Sequence, residues 1–310
     1  MTDPMTTAVT GAVAGIEAYE DLRRRGVEAG TAGHLEESVA LLEMAWEWAR
    51  EHGDACLADR AFLNWSSVVI ALGRSDDVLL RLREILVRNL DVVNCRLAAY
   101  NISRIYELRK EVKKGLFYAR IASTWTNSLE VPDPDWVAST HNQIGNFLVA
   151  ESRFQEAAGE YRLAIAANPE AAATRKAQLA GNLGYCLVVL KSYREGVDLL
   201  YRAIRLLRRL GAEAEQALAH LDLAYAHLEL ARPRDAKRHA VKACALAERF
   251  GDRDALKNAL YLGGEAANLQ GDVEEARRCF GRLQDYFPGT PFLTDFLLAI
   301  DIRKMINLRA

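Results

Sequence analysis

Five residues at nearly equal intervals carry the chemistry most open to interpretation in this 310-residue chain: Asn64, Asn101, Gln143, Asn182 and Asp222, separated by 37, 42, 39 and 40 residues. A side-chain amide offers a donor and an acceptor at once, so it can pair with the backbone of an extended peptide much as a neighbouring strand would. Asparagine is a mediocre residue for a helix interior, so propensity does not explain its recurrence. The other reading of such a column is packing between neighbouring repeats, and both are open. Three residues beyond each member stand Ser67, Arg104, Asn146, Tyr185 and Tyr225, and three further on Ile70, Glu107, Val149, Val188 and Leu228. The Arg104 guanidinium could grip a ligand carboxylate bidentately, or pair with Glu107 three residues on.

Catalysis finds little support. His220 and His227 flank Asp222 but lie seven residues apart, two turns along one helix face and too far for a shared metal site without a third element. Packed or solvated histidines are expected. Cys56, Cys95, Cys186, Cys244 and Cys279 are scattered without a CxxC pair, as reduced, mostly buried small hydrophobes would be. There is no glycine-rich phosphate loop, GxSxG elbow or HExxH motif. No catalytic residue, metal or cofactor is expected.

Composition narrows the partners. The formal net charge is -2, without the dense positive footprint that nucleic acid requires. Charge is uneven: residues 1–60 hold twelve Asp and Glu against five Lys and Arg, whereas residues 191–250 hold twelve Lys and Arg against eight acids. The run Arg202, Arg205, Arg208, Arg209 reads as a solvated helix face. The first residues have no basic stretch followed by a long apolar one, and no run of eighteen apolar residues occurs, which leads to the expectation of a cytoplasmic protein without membrane insertion.

The elements that must position the column are themselves repeated. Ser38, Val78, Gly115, Ala157, Gly196, Ala236 and Ala276 recur about every 40 residues. Four residues after each comes Leu42, Leu82, Ala119, Tyr161, Leu200, Ala240 or Phe280, and three after that Ala45, Ile85, Ala122, Ala164, Ala203, Ala243 or Leu283. Steps of four and three mark one face of a helix. Upstream lie large-small pairs, Ile102-Ser103, Ile144-Gly145, Leu183-Gly184 and Leu223-Ala224, whose small members let two helices approach closely. Gly33, Gly73 and Gly271 punctuate the paired helices, while Gly53-Asp54 and Gly251-Asp252 end one hairpin and begin the next, glycine as a left-handed cap and aspartate as an N-cap.

This order, best formed in Ile144, Gly145, Leu148, Ala157, Tyr161, Ala164 and Pro169, resembles the tetratricopeptide repeat over roughly residues 16 to 288. The period exceeds the usual 34 residues, as in bacterial regulatory and kinesin-light-chain-type arrays. HEAT arrays share periods near 40, but the chain does not suggest their second-helix pattern. The resemblance implies a right-handed, all-α solenoid of about seven hairpins, with the first helices lining a concave groove. It also implies ligand-backbone capture by Asn64, Asn101 and Asn182; Gln143 is one methylene longer and Asp222 lacks a donor, which puts those two roles in doubt. Arg104 and Asn146 would add specificity, and Tyr185 and Tyr225 apolar contact.

The expected organisation is an N-terminal extension (1–15), three repeats (16–130), four repeats (131–290) and a capping helix (291–310) in which Phe292, Phe296, Leu297, Ile300 and Met305 share a face. The stretch 127–135, with Pro132 and Pro134, reads as a loop and a candidate hinge. The functional expectation is a non-enzymatic, cytoplasmic, bacterial adaptor holding a peptide or helix of a partner protein in the groove. Self-association would use the terminal repeats or the last helix. The alternative is a peptide-sensing regulator whose curvature changes on binding.

Overall fold

The computed structural model describes residues 4–303 and 305–309. Among them the chain is all-α, without a strand, and divides into two compact units, Met1–Thr140 and His141–Ala310. Among the described residues fourteen α-helices form the seven expected hairpins, followed by a 3-10 turn at Gln284–Tyr286 and one short α-helix. The boundary between the units falls inside a helix, between Thr140 and His141.

The first unit holds α1 (Pro4–Thr31), α2 (Leu35–His52), α3 (Ala55–Ala71), α4 (Asp76–Arg88), α5 (Val92–Leu108) and α6 (Val112–Asn127), and the first turns of α7 (Pro134–Ala150). The expected extension is not separate, since α1 runs through residue 15; its first three residues lie outside the described ones. Gly33 and Gly73 have φ of +88° and +77°, where a Cβ is disfavoured. Gly53 differs from expectation: its φ of -94° is ordinary, but a Cβ there would stand 2.7 Å from the Ala49 carbonyl oxygen, so close approach selects glycine. Asp54 and Asp91 cap α3 and α5 by accepting from the Leu57 and Asn94 amides. Buried Asp59 joins α3 to α4 through Arg88 at 2.6 Å and Arg81 at 3.2 Å. The expected loop of 127–135 is shorter, since Asn127 ends α6 and Pro134 begins α7, which leaves 128–133 as the connection.

The second unit continues with α8 (Phe154–Ala167), α9 (Ala173–Val189), α10 (Tyr193–Arg209), α11 (Glu213–Glu229), α12 (Pro233–Phe250), α13 (Arg253–Asn268), α14 (Val273–Leu283) and α15 (Leu293–Ala299). Here the repeat pattern has a volumetric cause. The small residue of each first helix faces the bulkier residue sixteen positions on: a Cβ on Gly145 would lie 2.6 Å from the Tyr161 ring, one on Gly184 2.9 Å from Leu200 Cγ, and one on Gly264 2.3 Å from the Phe280 ring. Where the second helix carries Ala240, the first can carry Ala224, and both are buried. Side-chain volume is thus shared out within each hairpin to keep interior density constant.

The expected C-terminal helix is present but short. The last helix spans seven residues and ends at Ala299, and 300–303 and 305–309 run on without helix. Leu297 is buried, yet Phe292 and Met305 are 75% and 77% exposed, so the apolar positions do not form one packed stripe. Ile302 and Leu308 instead turn back onto the core of the last hairpins. Ala310 lies outside the described residues.

Candidate functional site

In the second unit the column becomes a polar ladder across the first helices of successive hairpins. On α7, Asn142 Oδ1 accepts from Asn182 Nδ2 of α9 at 2.9 Å, and Asn146 Oδ1 accepts from the Tyr161 hydroxyl at 2.9 Å. Asn182 keeps its carbonyl oxygen for another donor. On α11, Asp222 is 3% exposed between Leu221 and Leu223, a costly place for an unpaired carboxylate. The Tyr185 and Tyr225 rings stand 6.1 Å apart beside it.

The C-terminal segment fills this site. Arg309 Nη1 donates to Asn182 Oδ1 at 2.9 Å, Nε donates to Asp222 Oδ1 at 3.2 Å, and Nη2 donates to Asp222 Oδ2. The guanidinium also lies over the Tyr185 ring, 4.6 Å from its centroid. Burial pushes the Asp222 carboxyl up, and Arg309 pulls it back. Two residues earlier, Asn307 donates to the Val149 carbonyl and to Ser152 Oγ at 3.1 Å, and accepts from the Tyr185 hydroxyl. Asn258 on α13 donates to the Leu308 carbonyl at 2.7 Å.

A second acidic pocket holds Arg303. Its guanidinium lies 3.7 Å from Glu229 and 3.9 Å from Glu265, and it is paired with Asp301 of its own segment. Glu265 occupies the repeat position of Tyr185 and Tyr225 on α13 and is 2% exposed. Burial, then the Asp301 carboxylate, push it up to about 7, against the pull of Arg303.

The first unit treats the same column differently. Asn101 is 2% exposed and both its amide contacts stay inside the stack, to the Leu63 carbonyl and Ser66 Oγ at 3.1 Å each. That leaves no amide donor for a ligand backbone. Asn64 is half-buried in a concavity with Arg60, Arg96 and Trp136. Arg96 stacks 3.6 Å from the Trp136 ring, and its Nε and Nη1 have no hydrogen-bond partner among the described residues; burial lowers it to about 10. Arg104 donates to the Ser67 carbonyl at 3.2 Å. Gln143, in the second unit, is buried. The deeper positions are core rather than groove: Ile70, Val149, Val188 and Leu228 are at most 3% exposed.

His220 and His227 are buried, and α12 supplies a third histidine, His239. His220 and His239 share a 2.8 Å hydrogen bond, and the Tyr201 hydroxyl bridges His227 and His239 at 3.2 and 3.4 Å. Among the described residues no group of three or more His, Cys, Asp or Glu could hold a metal ion. All five cysteines are free, two of them buried. Arg202, Arg205, Arg208 and Arg209 are exposed on α10.

Sequence reasoning missed Asn142, Glu265, Arg303, Asn307 and Arg309. Glu265 had a signal: the Tyr185 to Tyr225 step, repeated, lands on it. The segment residues had none, because they belong to no repeat.

No family model matches the chain, and no curated protein matches its sequence. Solved structures do. A Rap protein complexed with competence and sporulation factor aligns with a TM-score of 0.70 at 13% identity, over 93% of this chain and 79% of that one. A tetratricopeptide repeat protein from Parabacteroides merdae aligns at 0.53 and 13% over 94% of this chain and 100% of that one. BtubC (BKLC) from P. vanneervenii aligns at 0.54 and 16%, over 75% and 93%. The fold is that of a tetratricopeptide-repeat array.

Proposed function

We propose that this chain is a non-catalytic adaptor that binds an extended segment of a partner protein along the first helices of its second unit. The observation supporting this reading is that those helices already hold a non-helical segment there, through Asn182, Tyr185 and Asp222 acting on Asn307 and Arg309. The same side chains would serve a segment supplied in trans, with Asn146 beside them and Tyr225 extending the apolar wall. A Rap protein of similar fold was solved complexed with competence and sporulation factor, which supports a partner-binding role for such an array. Asn64 and Arg104 remain candidate contacts for the first unit, whereas Asn101 is assigned to packing. Among the described residues no helix is long and apolar enough to cross a membrane.

A peptide-display selection against the whole chain tests the proposal, with Asn182→Ala as counter-screen. Enriched peptides should lose at least about tenfold in affinity, the worth of about 1.4 kcal/mol, on that substitution. Equal binding to both proteins would remove the groove from the account. A second reading, a peptide sensor, is favoured by the groove being occupied, since a ligand must then rearrange the chain. Ligand-dependent hydrogen exchange outside the groove would separate the sensor from the static adaptor.

A further inference from the structure

The groove of the second unit is acidic at two places, and both are filled by arginines of one segment. Asp222 is 3% exposed, and Arg309 is the only ion-pair partner it has among the described residues. A carboxylate in the middle of a helix, walled by leucines, is costly unless a cation meets it. The site is also shaped for one cation in particular. Nε and Nη2 of a guanidinium reach the two Asp222 oxygens, Nη1 reaches Asn182 Oδ1, and the planar group lies over Tyr185. A lysine ammonium has neither the fork nor the flat face, so it could satisfy only part of this set. Six residues upstream, Arg303 meets Glu229 and Glu265.

Besides the two arginines, Asn307 and the Leu308 carbonyl tie the segment to the stack through Val149, Ser152, Tyr185 and Asn258. Residues 300–303 and 305–309 form no helix, and among the described residues Ile302 and Leu308 pack on the core only partly buried. None of the repeat columns that close the seven hairpins lies in it. Its release would therefore open the groove without dismantling a hairpin.

We propose that the two acidic pockets select arginine-bearing extended segments, and that residues 301–309 are a built-in competitor which an incoming segment of the same chemistry must displace. This rests on the peptide-groove reading and adds to it the ligand class and a resident occupant. A tethered segment acts at an effective concentration of about 1 mM. A free peptide with an intrinsic dissociation constant of about 10 µM would therefore appear about 100-fold weaker while the segment is in place.

The experiment uses the full chain and a synthetic peptide with the sequence of residues 300–309. Arg309→Ala, which empties the Asp222 pocket, should bind the peptide about 100-fold more tightly than the wild-type chain. Adding Asp222→Asn to it should abolish the gain, and a peptide with lysine for both arginines should bind at least about tenfold more weakly. In case Arg309→Ala fails to fold, hydrogen exchange on wild-type chain labelled with 15N, which separates its fragments from those of the peptide, supplies a second measurement. Saturating peptide should raise exchange in 301–309. Equal affinity of the wild-type and Arg309→Ala chains for the peptide would overturn the proposal, as would unchanged exchange at saturation or indifference to lysine. If display-selected peptides without arginine still require Asn182, the groove reading survives and this inference fails alone.

Discussion

Asn101 and Asn182 hold the same repeat position and do different work. The Asn101 amide ties α5 to α3 through the Leu63 carbonyl and Ser66, so Asn101→Ala should lower stability by about 1 to 3 kcal/mol, the cost of leaving buried partners unsatisfied. A urea denaturation midpoint shift would register this, and no shift would argue that the amide is idle. The histidines invite a pH test. Burial, together with nearby Arg208 and Lys242, lowers His220 to about 4, and burial with His220, His227, Arg238 and Lys242 lowers His239 to about 3. The unfolded chain, with ordinary values near 6.5, binds more protons over that window, so stability present at neutral pH is lost as pH falls from about 6.5 towards 4. The expected slope is about 1 kcal/mol per pH unit for each buried histidine. His239→Phe, which removes one of these groups, should flatten the dependence of Tm on pH; an unchanged slope would contradict the assignment.

At the scale of elements, the hairpins were legible because their constraint is local and volumetric. The small residue opening each second helix and the positions four and seven beyond it are buried in all seven hairpins, and a spacing of four and three is visible without coordinates. The same constraint predicts that Gly264→Ala costs about 1 to 3 kcal/mol by overpacking against Phe280. Phe280→Ala in that background should recover part of the loss, giving a coupling of about 1 kcal/mol in a double-mutant cycle; strictly additive effects would mean that the two positions do not share volume. The final helix was less legible. Its apolar residues have helical spacing, but helix formation beyond Ala299 would draw Arg303 and Arg309 away from the acidic pockets they now fill.

For the whole molecule, the candidate site was half legible. The chain displays the Asn182 and Asp222 column through its period, and an aspartate in a leucine-rich helix already calls for a cation. Its partner could not be found by periodicity: Arg309 lies 87 residues beyond Asp222 and 127 beyond Asn182, outside every repeat. In the second unit the carboxylates that meet the segment, Asp222, Glu229 and Glu265, are few and local, and the net charge of -2 does not reveal them. Attraction between the second unit and a basic segment should weaken as salt screens the charges, so exchange in 301–309 should quicken from 0.05 to 0.5 M salt; indifference to salt would place the hold in apolar contacts instead. The most direct test compares hydrogen exchange of 301–309 in the wild-type chain and in Asp222→Asn. The account predicts slow exchange in the former and at least about tenfold faster exchange in the latter, the equivalent of about 1.4 kcal/mol of lost anchoring, with α11 unchanged. Equal rates in the two proteins would contradict the claim that this groove recognises an extended segment through Asp222.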